Sequence, residues 1–166
     1  HELVISTKGA HPEIMSVSRL LREDILGDIE KSLKHLKTDY VDIYWLHRDD
    51  ENVPVEPIMD TLSEIVKSGK ARYIGMSNWK YKRIAEANEY AKKNNLPLLM
   101  GSQIQYSAAI PNIENNDPTL VLMNEGEYDY FKKTKLNVFA YASQAKGFFS
   151  KLHSGGEENL SKKAKE

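Results

Sequence analysis

Polar residues close the apolar runs of this sequence one after another. Lys8 ends the run at 3–7, His47 follows 40–46, and Ser77-Asn78 follows 71–76. Gln103 stands near the end of 98–104, and Tyr141 ends the run at 136–140. An ammonium, an imidazole, a hydroxyl, two amides and a phenol make a useful set. The amides of Asn78 and Gln103 and the hydroxyl of Ser77 suit a planar amide ligand, and Tyr141 offers a flat stacking surface. A single histidine at a strand end is more often a hydrogen-bonding cap than a catalyst. Five such positions in succession, delivered to one rim, are harder to dismiss.

The elements that position them read as alternating strands and helices. The central one is Tyr40-Val41-Asp42-Ile43-Tyr44-Trp45-Leu46-His47, too short and too unpatterned for an amphipathic helix and suited to a strand buried on both faces. Strands are expected over 3–9, 40–47, 71–76, 98–104 and 136–141. Gly101 weakens the fourth. Ile25, Ile29, Leu33 and Leu36 form one helical stripe, with Glu23 and Asp24 in its first turn. Leu21 is a poor N-cap, so Ser18 is a candidate cap. Ile58, Leu62, Ile65 and Val66 form a second stripe closed by Gly69, and Ile84, Ala87 and Ala91 a third ending at Asn94-Asn95. A helix over 127–133 follows the long loop 105–124, whose length beside a sheet end points to function. Residues 143–156 read as irregular, before a polar helix near Glu157.

Strand–helix units repeating every roughly 30–40 residues predict a parallel α/β fold. In such sheets ligands meet the carboxyl ends of the strands. A doubly wound nucleotide fold or a small flavodoxin-like domain would carry a Gly-rich anion-binding turn after its first strand. Only Lys8-Gly9-Ala10 stands there, which argues against both. A (β/α)₈ barrel, typically about 250 residues, could be present only as a partial barrel of five parallel units.

Composition sets outer bounds. With 166 residues the chain makes one domain with a real core. A formal net charge of −1 with interspersed signs gives no footprint for nucleic acid, and the Lys-rich stretch 162–166 reads as a solvated face. The lack of cysteine excludes disulfides and thiolate metal sites, and the histidines show no i, i+4 pair. No apolar run matches a membrane span and no signal sequence is visible, so a cytoplasmic location is the expectation. The strand-like opening without an initiator Met and the charged, helix-prone close give the look of an excised piece.

Three motifs carry a resemblance: Ile5-Ser6-Thr7-Lys8, then Thr38-Asp39 through His47, then Gly69-Lys70-Ala71-Arg72-Tyr73-Ile74-Gly75-Met76-Ser77-Asn78-Trp79. Ser102-Gln103 and Ala140-Tyr141-Ala142-Ser143 complete it. The chain resembles the aldo-keto reductase family, NADPH-dependent (β/α)₈-barrel enzymes that reduce aldehydes and ketones, over roughly its third to seventh βα units. The resemblance implies that Lys8 and His47 match two members of an Asp-Tyr-Lys-His catalytic tetrad. It also implies that Ser77, Asn78 and Gln103 hold the nicotinamide carboxamide and that Tyr141 stacks on the ring. Ala142 and Ser143 fall where the family's loop meets the pyrophosphate.

The family places its tetrad Asp and Tyr on the second unit, and its 2′-phosphate contacts on the eighth. Residues 1–166 are therefore expected to form a single partial domain lacking two N-terminal units and one C-terminal unit. Tyr44, within a strand, and Tyr106, at a loop base, do not replace the acid. The parent is expected to use NADP(H) on a small-molecule carbonyl substrate, and the isolated chain to be inactive without tight cofactor binding. No nucleic-acid or membrane partner is expected, while outer strands with apolar faces invite self-association. A non-catalytic cofactor-sensing or docking module on the same scaffold is the alternative.

Overall fold

The computed structural model describes residues 3–12, 17–109 and 117–159. In chain order they form β1 (Ser6–Gly9), α1 (Arg22–Leu36), β2 (Val41–Leu46), α2 (Val55–Lys67), β3 (Ala71–Ser77), α3 (Tyr81–Lys93), β4 (Gly101–Gln105), α4 (Glu125–Thr134), β5 (Asn137–Tyr141) and α5 (Phe148–Gly155). The strands make one sheet in the order β1-β2-β3-β4-β5, every neighbouring pair parallel. Sequential parallel strands joined by helices are consistent with part of a (β/α)₈ barrel wall. A doubly wound sheet would instead reverse its strand order at a switch point.

β2 is the keystone, with all six residues buried. On one face Tyr44, Leu46, Ile74, Met76 and Ile104 pack with Ile25, Ile29, Leu33, Ile58, Leu62, Ile65 and Ile84 of the helices. The opposite face holds Trp45, Gly75, Gly101 and Phe139. A Cβ added at Gly75 would lie 2.3 Å from the Trp45 ring, and one at Gly101 2.9 Å from the Phe139 ring. Gly101 thus makes room for a ring passing over the backbone, the second meaning a glycine has inside a strand.

Several boundaries differ from those expected. β1 starts at Ser6, with Leu3 and Val4 largely exposed, because Asp42 accepts a bond from the Ile5 N–H (2.8 Å) just ahead of the paired region. α1 has Leu21 itself at the N-cap, without a side-chain cap, so Ser18 does not serve. Arg19 instead ties the first turns by pairing with Asp24 (3.3 Å) and Asp28 (2.7 Å). Leu36 is about half exposed in the last turn of α1. β4 begins only at Gly101, since the Leu99 N–H is taken by the Asn88 side chain (2.9 Å). The stretch expected to be irregular contains α5, an eight-residue helix without a buried residue, preceded by a single turn at Ala145–Gly147. Near Glu157 there is one tight turn, Gly156–Asn159, and the Lys-rich stretch 162–166 lies outside the described residues.

Candidate functional site at the carboxyl ends of the strands

Parallel pairing brings the carboxyl ends of all five strands to one side. Lys8 lies on β1 opposite Trp45, Ser77 on β3 opposite Gln103, and Tyr141 on β5 opposite Gln105. His47 follows β2 directly, and its N–H donates to the Gly9 carbonyl (2.9 Å), fixing the end of β1 against it. All the strand-end residues singled out in the sequence therefore share one rim.

Asn78 ties the end of its own strand, β3, to the ends of β2, β4 and β5. Its backbone N–H donates to the Gln103 carbonyl (3.0 Å) and its φ is +58°, left-handed, a region asparagine tolerates better than most residues. Its side-chain nitrogen donates to the His47 carbonyl (3.3 Å) and to Ser77 Oγ (3.1 Å). Its side-chain oxygen accepts from the Tyr141 hydroxyl and from the Val121 N–H (3.3 Å). Two donors and two acceptor sites are all an asparagine amide has. Ser77 and Asn78 are buried, at 0% and 3% exposure, so this network is shielded from water.

The long loop after β4 is fastened to the same rim. A parallel bridge joins Gln105 to Leu122, and Arg48, next to His47, donates from Nε to Thr119 Oγ1 (2.9 Å) and from one terminal nitrogen to the His47 carbonyl (2.9 Å). Asp117 stands 3.8 Å from another nitrogen of Arg48. Residues 110–116 of that loop lie outside the described residues.

The rim is electropositive around Lys8 and His47. Partial burial and the neighbouring Arg48 lower the Lys8 ammonium from its ordinary value. Burial, reinforced by Arg48, Lys8 and His11, pushes the His47 imidazole down to about 4. His47 is thus neutral at pH 7 and able both to donate and to accept a hydrogen bond. Burial raises the Tyr141 phenol, which therefore stays protonated at neutral pH. Tyr44 is no substitute acid. Its hydroxyl donates to the Ile25 carbonyl (2.9 Å) on the helix-covered face, and burial raises its pKa.

Ser77, Asn78 and Gln103 carry the hydroxyl and amide groups that could hold a planar carboxamide. Ser77 and Gln103 are register partners, and among the described residues the Gln103 side-chain amide has no hydrogen-bond partner. Asn78 can serve such a ligand only by exchange, because Tyr141 holds its oxygen. After β5, Ala142 is left-handed (φ +54°), and the Ala145 and Gly147 N–H groups donate back to the carbonyls of Ala142 (2.8 Å) and Gln144 (2.9 Å). Those two N–H groups are engaged within the loop. Ser143 is exposed.

The model of the aldo/keto reductase family matches residues 1–166. The chain belongs to that family. It is similar to a Schizosaccharomyces pombe protein provisionally named a voltage-gated potassium channel subunit beta, 36% identical over 64% of this chain and 32% of that protein. It is also similar to L-glyceraldehyde 3-phosphate reductase of Escherichia coli K12, 37% identical over 60% of this chain and 29% of the enzyme. A third relative, a Schizosaccharomyces pombe protein provisionally named an aryl-alcohol dehydrogenase, is 29% identical over 96% of this chain and 43% of its own length. The aldo/keto reductase chain thus spans less than half the length of each of these relatives.

Two rim residues escaped the sequence reading. His11 lies in the loop after β1, yet its ring centroid stands 4.4 Å from that of His47 with the planes tilted by 48°. Arg48 reads in sequence as part of a charged turn, and only its bonds to Thr119 and His47 reveal it as a link between the rim and the β4–α4 loop.

Proposed function

We propose that this chain is the third-to-seventh-unit segment of an NADPH-dependent aldo/keto reductase barrel that reduces aldehydes or ketones by hydride transfer. The observation behind the reading is the shared rim of Lys8, His47, Ser77, Asn78, Gln103 and Tyr141, in a chain whose family match spans residues 1–166. When bound, the nicotinamide supplies the hydride that attacks the carbonyl carbon. The amide and hydroxyl groups of Ser77, Asn78 and Gln103 hold its carboxamide, and the Tyr141 ring lies against it. Ala142 and Ser143 border the pyrophosphate. His47, kept neutral, donates to the substrate oxygen as charge develops there. Lys8 lowers the pKa of the proton-donating phenol, which comes from a second βα unit outside this sequence. A free phenol has a pKa of about 10, so it needs such a neighbouring cation to act near neutrality.

The isolated chain, with the phenol and the 2′-phosphate contacts supplied by flanking units, neither turns over substrate nor binds NADP(H) tightly. Its outer strands self-associate. The test is complementation: the chain alone, and the chain together with two preceding βα units and one following unit, are assayed with NADPH and 4-nitrobenzaldehyde. Turnover confined to the complemented protein and lost in Lys8→Met supports the reading. Turnover by the chain alone, or turnover that survives Lys8→Met, refutes it.

The second reading is a non-catalytic cofactor-sensing or docking module. The likeness to the protein provisionally named a channel subunit speaks for it. Retention of both Lys8 and His47 speaks against it, since a binding module needs neither. No helix among the described residues is long and apolar enough to cross a membrane. A small-molecule substrate reached in the cytoplasm fits the reductase.

A further inference from the structure

The β2–β3 register ends at Leu46 and Met76, one residue before His47. Beyond it, side chains hold the turn after β2 to the start of α3. One link is the pair Lys80–Glu51 (2.7 Å), which is largely exposed and contributes little in water. The other is buried.

Arg83 lies in the first turn of α3, and its side chain is 11% exposed. Its Nε donates to Asp49 Oδ2 (3.2 Å), and one terminal nitrogen donates to Asp49 Oδ1 (3.3 Å) and to the Val53 carbonyl (2.8 Å). The other terminal nitrogen donates to Glu86 (3.3 Å). Four of the five N–H donors of the guanidinium are thus engaged, three of them on the turn after β2. Its central carbon stands 5.2 Å from the centre of the Trp79 ring, a fully buried side chain that directly follows Asn78.

Asp49 completes the tie. It is 10% exposed, two residues after His47, and its Oδ1 also accepts from the Asp50 N–H (2.9 Å). The Val53 N–H donates to the Asp50 carbonyl (3.0 Å), so residues 49–53 form one hydrogen-bonded turn with both ends on Arg83. Burial raises the Asp49 pKa, and the Arg83 fork opposes that rise. A carboxylate this dry needs its cation, and a two-pronged guanidinium fixes a direction as well as supplying a charge.

We propose that Arg83 is a positioning residue for His47: through Asp49 and Val53 it fixes the turn that follows β2, and with it the place of the imidazole at the rim. A turn held at both ends limits the water that reaches the ring and orients it before any substrate arrives. What the imidazole then does rests on the reductase reading, while the clamp stands without it.

The test is exchange of the imidazole Cε1 hydrogen for deuterium, followed against pH by peptide mass spectrometry on the 166-residue chain. The midpoint of each exchange curve is the pKa of that histidine. His35 on α1 and His153 on α5, both exposed, are the internal references. Arg83→Lys keeps the charge and loses the fork. Arg83→Met combined with Asp49→Asn removes both charges together, leaves no buried carboxylate alone, and provides the same readout if Arg83→Lys fails to fold. Neither variant changes the net charge, and both retain Arg48, Lys8 and His11, the charges that act on the His47 ring. The expected result is a His47 midpoint that rises from about 4 by about 1 pH unit, as the loosened turn lets water reach the ring, with the references unchanged. A His47 midpoint that falls, or that moves no more than the references do, overturns the proposal and leaves Arg83–Asp49 a structural ion pair. No turnover is measured, so an inactive complemented protein counts against the reductase reading alone.

Discussion

Trp45 on β2 and Phe139 on β5 meet edge to face, with ring centroids 5.0 Å apart. Their strands are three steps apart in the sheet, about 14 Å at ordinary strand spacing. The rings close that gap by crossing strands that carry glycine at this level, Gly75 beneath Trp45 and Gly101 beneath Phe139. A methyl group at Gly75 would have to displace a ring that is 1% exposed. Gly75→Ala is expected to lower stability by about 1–3 kcal/mol, the usual cost of overpacking, read as the shift in the urea midpoint. An unchanged midpoint would mean that the ring moves aside freely.

Asn78 tests strain against hydrogen bonding. Asn78→Ala loses four side-chain bonds and puts an alanine at φ +58°, whereas Asn78→Gly loses the same bonds without the strain. Both variants should be destabilised, with glycine the milder by roughly 1 kcal/mol. Equal midpoints in urea would remove backbone strain from the account.

Glu127 is 2% exposed and its carboxylate accepts from the Tyr81 N–H at 3.1 and 3.2 Å, capping α3 from a neighbouring helix. Burial raises its pKa, so a neutral acceptor suits the position. Glu127→Gln should therefore lie within about 1 kcal/mol of the parent, while Glu127→Ala, which orphans the N–H, should cost about 2 kcal/mol. The comparison is by chemical denaturation, and a Gln variant as damaged as the Ala variant would show that charge matters.

The pH dependence has a definite sign. The folded-state pKa of His47 is lowered to about 4 from an unfolded value near 6.5, so the fold favours the neutral ring. The associated stability is present above pH 6.5 and is lost as pH falls from there toward 4. His47→Gln should flatten the stability–pH curve between pH 6.5 and 4, relative to the parent protein. Parallel curves for the two proteins would contradict the shift.

Much of this was legible in order along the chain. The stripes Ile25-Ile29-Leu33 and Ile58-Leu62-Ile65 are local, and periodicity reports them directly. The rim residues could be read because each ends an apolar run, and parallel sheets deliver such ends to one side. What could not be read depends on contacts between segments distant in sequence. His11 becomes a neighbour of His47 only after a loop folds back, and Arg48 needs Thr119 from 71 residues away. α5 was hidden because Ser143, Gly147 and Gly155-Gly156 signal turns and no apolar stripe anchors it. Asn78 was identified for its amide, but the sequence gives no hint that Tyr141 occupies the oxygen.

Lys8 and Tyr141 stand on the two outermost strands of the sheet. The span between ammonium and phenol therefore depends on how tightly the sheet is rolled, with the phenol end also held by its bond to Asn78. Substitutions far from the rim that flatten the roll, Gly75→Ala among them, should loosen the grip on any ligand lying across that arc.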